Sequence, residues 1–80
     1  MGKPRIHKKT ELQIEFGSRL KEKRRELGFT QEKLAEKADL TSKYIDFLER
    51  GEKDILLENA VDFARILKIS LDRLIPESET

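Results

Sequence analysis

The sequence predicts an all-α domain of five helices, and three observations carry the prediction. Only four glycines and two prolines occur in 80 residues, and the prolines, Pro4 and Pro76, stand near the ends. β-branched residues are few and no stretch alternates apolar and polar side chains for long, so strands are disfavoured. Hydroxyl residues recur just before apolar residues at helical spacing, as they do where capped helices begin. With 36% hydrophobic residues the chain can bury one small core. The folded domain is expected over residues 10–76, between a basic arm at 1–9 and a short tail at 77–80.

The first helix starts at Thr10, because Thr10-Glu11-Leu12-Gln13 fits a capping box. Leu12, Phe16, Leu20 and Leu27 follow as one apolar stripe, and Gly28 is placed to end the helix in a left-handed conformation. Gly17 interrupts this stretch at a cost of about 1 kcal/mol relative to Ala. It therefore marks either a break or a close approach of another helix.

Three further helix starts share one pattern: an apolar residue, a hydroxyl residue, and a second apolar residue four places beyond the hydroxyl. The sets are Phe29-Thr30 with Leu34, Leu40-Thr41 with Ile45, and Ile69-Ser70 with Leu74. Each is an N-cap with a hydrophobic staple. The second helix is expected over residues 31 to 37 or 38, the third over 42–50 closed by Gly51, and the fifth over 71–75 before Pro76. The fourth, over 57–67, has a poor cap, for which Asp54 is the best candidate. Its apolar residues spread over an arc of about 220°, wider than one core face needs. Something besides the domain's own core is expected to cover Phe63 or Ile66.

Composition excludes several function classes. No Cys is present, so there is neither a disulfide framework nor a thiolate metal site. The sole histidine, His7, lies in the arm without a partner constellation, and no Gly-rich phosphate loop occurs. The chain is accordingly expected not to be an enzyme and to need no metal or cofactor. No apolar run approaches the roughly 18 residues of a membrane span, and neither a signal peptide nor a myristoylation signal is read at the N-terminus. The expected setting is the cytoplasm. Lys and Arg number 17 against 16 Asp and Glu, a net of +1, yet the distribution is uneven. Residues 1–28 carry nine basic and four acidic side chains, residues 29–51 four and five, and residues 52–80 four and seven. A basic end on a near-neutral chain can engage a polyanion, because the local field governs contact; alternatively it is a solvated tail with salt-bridged helix faces.

Between the second and third helices stand only Asp39, Leu40 and Thr41, and small Ala35 and Ala38 precede them. A short helix, a tight turn and a second capped helix make a helix-turn-helix, in which the second helix enters the DNA major groove. Around that corner the chain reads Phe16-Gly17-Ser18-Arg19-Leu20, then Gly28-Phe29-Thr30-Gln31-Glu32-Lys33-Leu34-Ala35, then Leu40-Thr41-Ser42-Lys43-Tyr44-Ile45 and Leu48-Glu49-Arg50-Gly51. Ala64-Arg65-Ile66-Leu67-Lys68-Ile69-Ser70-Leu71-Asp72 precedes Leu74. In order and spacing these segments closely resemble the phage-repressor (Cro/CI, or XRE) family of helix-turn-helix regulators, over about residues 15 to 75. That family includes small restriction-modification controllers and antitoxins. The resemblance implies a five-helix phage-repressor-like domain that binds operator DNA, usually as a two-fold dimer.

Residue roles follow from the same resemblance. Tyr44, Ile45 and Leu48 cluster toward the core, and Ser42, Lys43, Asp46, Phe47 and Arg50 cluster on the opposite side of the third helix. Positions matching Ser42, Lys43 and Phe47 point at base edges in the family. Lys43 can donate to guanine, Ser42 can serve several bases, and Phe47 can pack on a thymine methyl or be partly buried against the second helix. Asp46 is repelled by phosphates unless it accepts from cytosine N4 or restrains Lys43 or Arg50. The resemblance gives phosphate contacts to Gln31, to Arg50 and to the Gly51 N–H; Gly51 also reads simply as a helix stop. It pairs Arg24 with Glu49 as a partly buried ion pair that fixes the angle of the reading helix. Arg19, Lys21, Lys23 and Arg25 read as solvated or as acting through long-range electrostatics, and the arm from Lys3 to Lys9 either reaches along DNA or solubilises the chain.

The expected function is thus a sequence-specific DNA-binding regulator acting as a homodimer on a palindromic site. The alternative is an interaction module on the same fold, such as an antitoxin or bridging factor that contacts a second protein; Asp46, Glu52 and Asp54 favour it. The dimer is expected on the fourth and fifth helices, through Phe63, Ile66 and Ile75, with Ile69 and Leu74 divided between core and interface.

Overall fold

The computed structural model describes residues 10–76, so the expected basic arm and the four-residue tail lie outside the described residues. Five helices follow one another: α1 (Glu11–Glu26), α2 (Gln31–Ala38), α3 (Ser42–Glu49), α4 (Leu57–Leu67) and α5 (Leu71–Leu74). The capping box at Thr10 forms, with the Gln13 N–H donating to Thr10 Oγ1 at 3.0 Å and the Thr10 N–H donating to Gln13 Oε1 at 2.9 Å. Thr30 and Thr41 cap α2 and α3 by accepting from the N–H groups of Lys33 and Tyr44.

One three-residue motif precedes three of the helices. After Leu27, Gly28-Phe29-Thr30 leads α1 into α2, Asp39-Leu40-Thr41 joins α2 to α3, and Lys68-Ile69-Ser70 joins α4 to α5. The first residue of each is left-handed, with φ of 75° at Gly28 and 60° at Asp39 and Lys68. The middle residue donates its N–H back to the preceding helix: Phe29 to Arg24, Leu40 to Ala35 and Ile69 to Ala64. This is a Schellman end, which satisfies carbonyls that the helix leaves without partners. The middle residues are apolar and pack against the core. Each therefore serves as the apolar stop of one helix and the staple of the next.

Two expected caps are not realised. Ser70 makes no side-chain bond to the helix; its hydroxyl instead bonds the Asp72 carboxyl, which with the Asp72 N–H and the Arg73 charge holds that carboxyl below the usual carboxylate range. At α4 the N-cap is Leu56, without a side-chain bond, because Asp54 accepts from Gln13 Nε2 at 2.7 Å and so ties the α3–α4 loop to the start of α1.

The core gathers Phe16 and Leu20 of α1, Leu34 and Ala35 of α2, Ile45 and Leu48 of α3, Ala60, Phe63, Ala64 and Leu67 of α4, and Leu74 of α5. Leu12 and Leu27 of the expected α1 stripe are nearly half exposed, because the helix's buried residues run only from Phe16 to Arg24 and its outer turns extend past that contact. Gly17 resolves as a close approach. A Cβ placed there would stand 2.3 Å from the Leu48 carbonyl oxygen and 2.7 Å from that of Glu49. The α1 backbone thus lies directly on the end of α3, which no residue with a side chain would allow.

Phe63 is fully buried and faces the Phe16 ring at 6.5 Å between centroids. That corrects its expected place in an interface: it completes the domain's own core. The surplus of the wide α4 arc is Leu57, 70% exposed, and Val61, with Ile66 half-buried at the other edge. Among the described residues no helix is long and apolar enough to cross a membrane.

Candidate nucleic-acid interface

The α2–α3 corner is tight because Asp39 adopts the left-handed turn and Ala35 is buried beneath it. Asp tolerates this conformation better than most residues with a side chain. The orientation of α3 is then set from three sides. Arg24 of α1 grips Glu49 bidentately, Nε to Oε2 at 2.6 Å and Nη2 to Oε1 at 3.0 Å. Its Nη1 donates to the Phe29 carbonyl in the α1–α2 connection at 2.7 Å. Gln31, the first residue of α2, donates through Nε2 to Glu49 Oε1 at 3.0 Å and to Asp46 Oδ1 at 3.2 Å. The expected pair is therefore part of a network joining α1, the first connection, α2 and α3. The Glu49 side chain retains 2% exposure and that of Arg24 10%, so these bonds form in a water-poor setting. Among the described residues, no buried side-chain nitrogen or oxygen lacks a partner.

The other side of α3 faces outward. Lys43 and Arg50 are exposed, and Ser42, Asp46 and Phe47 are half-buried, so the residues expected at base edges share one accessible face. Asp46 does not stand alone there: it pairs with Arg50, Nε to Oδ2 at 3.3 Å, as well as accepting from Gln31. Arg50 also meets Glu52 at 3.5 Å. The Phe47 ring carries Arg50 and Lys53 at 5.4 and 5.7 Å from its centroid. Cations held over an aromatic ring are attracted to its face and stay in place while remaining wet. Lys53 thus joins Arg50 at the end of α3. Sequence reading missed it because it lies in an irregular loop, beyond the helical spacing that flagged the others.

One expected contact is revised, and a second residue is engaged within the domain. Gly51 is buried, its N–H donates to the Leu48 carbonyl at 3.0 Å, and a Cβ on it would press on Ile14. It is the left-handed helix stop, not an open phosphate donor. Gln31, expected at a phosphate, directs its side-chain amide to the carboxylates of Asp46 and Glu49 in the free domain and so braces α3 from the start of α2. Arg19, expected to be solvated, pairs with Glu15 and donates to the Arg73 carbonyl at 3.3 Å, securing α5 to α1. Tyr44 is half-buried and accepts from Asn59 of α4 at 3.3 Å.

Fold and site together define a helix-turn-helix whose second helix is held rigidly from behind and polar in front. Comparison with known proteins agrees. The helix-turn-helix family model matches residues 20–74. Among solved structures, the chain is similar to the restriction-modification controller protein C.AhdI from Aeromonas hydrophila, at 35% identity and a TM-score of 0.74, over 78% of this chain and 90% of that one. It is also similar to the clp gene regulator ClgR from Corynebacterium glutamicum, at 27% identity and a TM-score of 0.78, over 84% of this chain and 71% of that one. A third likeness is to SinR, a master regulator for biofilm formation solved in complex with DNA, at 28% identity and a TM-score of 0.70, over 74% of this chain and 95% of that one. No curated protein sequence matches the chain. The chain belongs to the phage-repressor-like (XRE) helix-turn-helix family, a class of DNA-binding transcription regulators.

Proposed function

We propose that the protein is a sequence-specific transcription regulator that binds a palindromic operator as a two-fold homodimer, with α3 in the major groove. The observation that carries this reading is the contrast across α3: a buried, fully bonded Glu49 behind, and an accessible row of Ser42, Lys43, Asp46 and Phe47 in front. In this reading Lys43 reads guanine, Ser42 and Phe47 add base contacts, and Asp46 faces an amino-bearing base. Arg50 and Lys53 take phosphates, and Gln31 supports that contact from the start of α2.

The homodimer is supported by what α4 and α5 leave uncovered. Ile66 of α4 and Ile75 at the end of α5 are half-buried apolar residues. Pairing there would let two copies of α3 enter successive grooves roughly 34 Å apart. The acids that favour a protein partner are partnered within the domain: Asp54 by Gln13, and Asp46 by Gln31 and Arg50. That weighs toward DNA.

Anisotropy titration of a random duplex pool at two salt concentrations, followed by selection of preferred sequences, tests the reading. Binding should fall steeply with salt, since neutralised phosphates release counterions. Lys43→Ala should relax the preference at one base pair by about 1–3 kcal/mol. An unchanged selection profile would remove Lys43 as a base reader. Sedimentation equilibrium of the wild type and of Ile66→Asp tests the dimer; a folded wild type that stays monomeric at tens of micromolar would overturn it.

A further inference from the structure

Asp46 presents a conflict. A negative side chain stands in the middle of the face that the regulator reading turns toward a polyanion, and its two oxygens engage two of that reading's phosphate-side groups. Oδ1 takes Gln31 Nε2 at 3.2 Å and Oδ2 takes Arg50 Nε at 3.3 Å. We infer that Asp46 is a specificity gate: in the free protein its carboxylate occupies Gln31 and Arg50 in place of DNA phosphates, and it releases them at low cost only where the facing base offers an amino group.

The inference rests on the proposed regulator function and deepens it. Three features of the geometry support it. First, a carboxylate is the closest side-chain equivalent of a phosphate, since both are anions that accept from Arg and amide donors. Arg50 and Gln31 are thus already oriented toward an anion when DNA arrives. Second, Asp46 lies one helical turn beyond Ser42 and Lys43 on the same face of α3, which puts it at groove level when that face meets bases. There it can accept from the N4 amino group of cytosine or the N6 amino group of adenine, whereas guanine and thymine at the facing edge present acceptors and repel it. Third, the Arg50–Asp46 pair is half exposed, with side-chain exposures of 52% for Arg50 and 44% for Asp46. Exposed pairs are weak, so they exchange readily.

On an arbitrary sequence, Arg50 moves to a phosphate and leaves Asp46 facing an acceptor or bare backbone charge. On the right sequence the base amino group replaces the lost partner. The carboxylate therefore lowers affinity for all DNA and lowers it least at the operator. This is discrimination by penalising the wrong partner.

The test compares four proteins by anisotropy: wild type, Asp46→Ala, Asp46→Asn and Glu22→Gln. The last removes one exposed carboxylate from α1, so it measures what loss of charge alone does. Each is titrated with random duplex and with the duplex selected by the wild type. Both Asp46 variants should bind random duplex roughly three- to tenfold tighter, and in Asp46→Ala the ratio of selected to random affinity should fall. Selection repeated on Asp46→Ala should lose the preference for an amino-bearing base at one position in each half-site. Asp46→Asn is nearly isosteric and removes only the charge, so its affinity for random duplex is the readout if Asp46→Ala misfolds. A ratio unchanged in Asp46→Ala, random-duplex affinity unchanged in Asp46→Asn, or an equal effect from Glu22→Gln, overturns the gate while leaving the regulator reading intact. A wild type that binds no duplex overturns both.

Discussion

On its inner side α3 presents Ile45, Leu48 and Glu49, all buried, with Glu49 bonded to residues from both α1 and α2. On its outer side it presents Ser42, Lys43, Asp46, Phe47 and Arg50, which are at least partly open; Asp46 and Arg50 meet each other, Arg50 the Phe47 ring, and Asp46 the half-buried Gln31 amide. The inner side has little freedom, because any change leaves a buried charge, a cavity or a clash. The outer side is weakly held and chemically varied. A helix built this way keeps its angle while its readable surface can be altered residue by residue, as a sequence reader requires.

The sharpest way to break this comparison is to remove one member of the buried pair. Glu49→Ala leaves the Arg24 guanidinium buried without its carboxylate, and the domain should lose about 3–5 kcal/mol of stability. Arg24→Met with Glu49→Leu should lose far less than the two single changes together, with a coupling above about 0.5 kcal/mol in a double-mutant cycle. Additive losses in urea unfolding would show that α3 is oriented by something else.

Gly17→Ala probes the same inner side through backbone. Helix propensity alone favours Ala by about 1 kcal/mol. The methyl group would nevertheless meet carbonyl oxygens of Leu48 and Glu49 well inside contact distance. A net destabilisation of about 2 kcal/mol is expected, since a packed backbone yields poorly to an added group. A more stable variant in a thermal melt would mean that α1 and α3 stand further apart.

Lys68 sharpens the comparison from an exposed position. Its side chain is free of the core, but its φ of 60° is one that glycine adopts without strain. Lys68→Gly should raise stability by about 0.5–1 kcal/mol, read from chemical denaturation, with no effect on DNA affinity beyond the loss of one charge. A destabilised variant would show that the Lys68 side chain has a role its backbone does not explain.

The smallest stability change is expected on the outer side. Arg50→Ala should leave stability within about 0.5 kcal/mol of wild type, because its ion pairs are exposed. Its DNA affinity should fall across all sequences, and the salt slope should lessen by about 1. Loss of stability comparable to that of Glu49→Ala would erase the distinction between the two sides.

Much of this was readable from residue order alone. The hydroxyl caps at Thr10, Thr30 and Thr41, the stops at Gly28 and Gly51, and the three apolar staples depend on interactions within a few residues, and these local rules place helix boundaries to within one or two positions. The outward row of α3 follows from helical periodicity, whereas the Arg24–Glu49 pair and the base-reading roles of that row were reached through resemblance to a family, in which their positions are fixed by the shared fold. The caps proposed at Ser70 and Asp54 failed because competing partners, Asp72 and Gln13, were available once the chain had folded.

By itself, then, the sequence determined where the helices lie and which face of each is apolar, since propensity, capping and periodicity act over a turn or two of chain. Only the tertiary structure decided how the faces are shared. It put Phe63 in the core rather than at an interface, buried Gly51 against α1, brought Lys53 beside Arg50 over Phe47, and joined Gln31 to both Asp46 and Glu49. The physical reason is that burial and bonding between residues distant in sequence depend on the angles at which short helices cross. Those angles come from the packing of all five together.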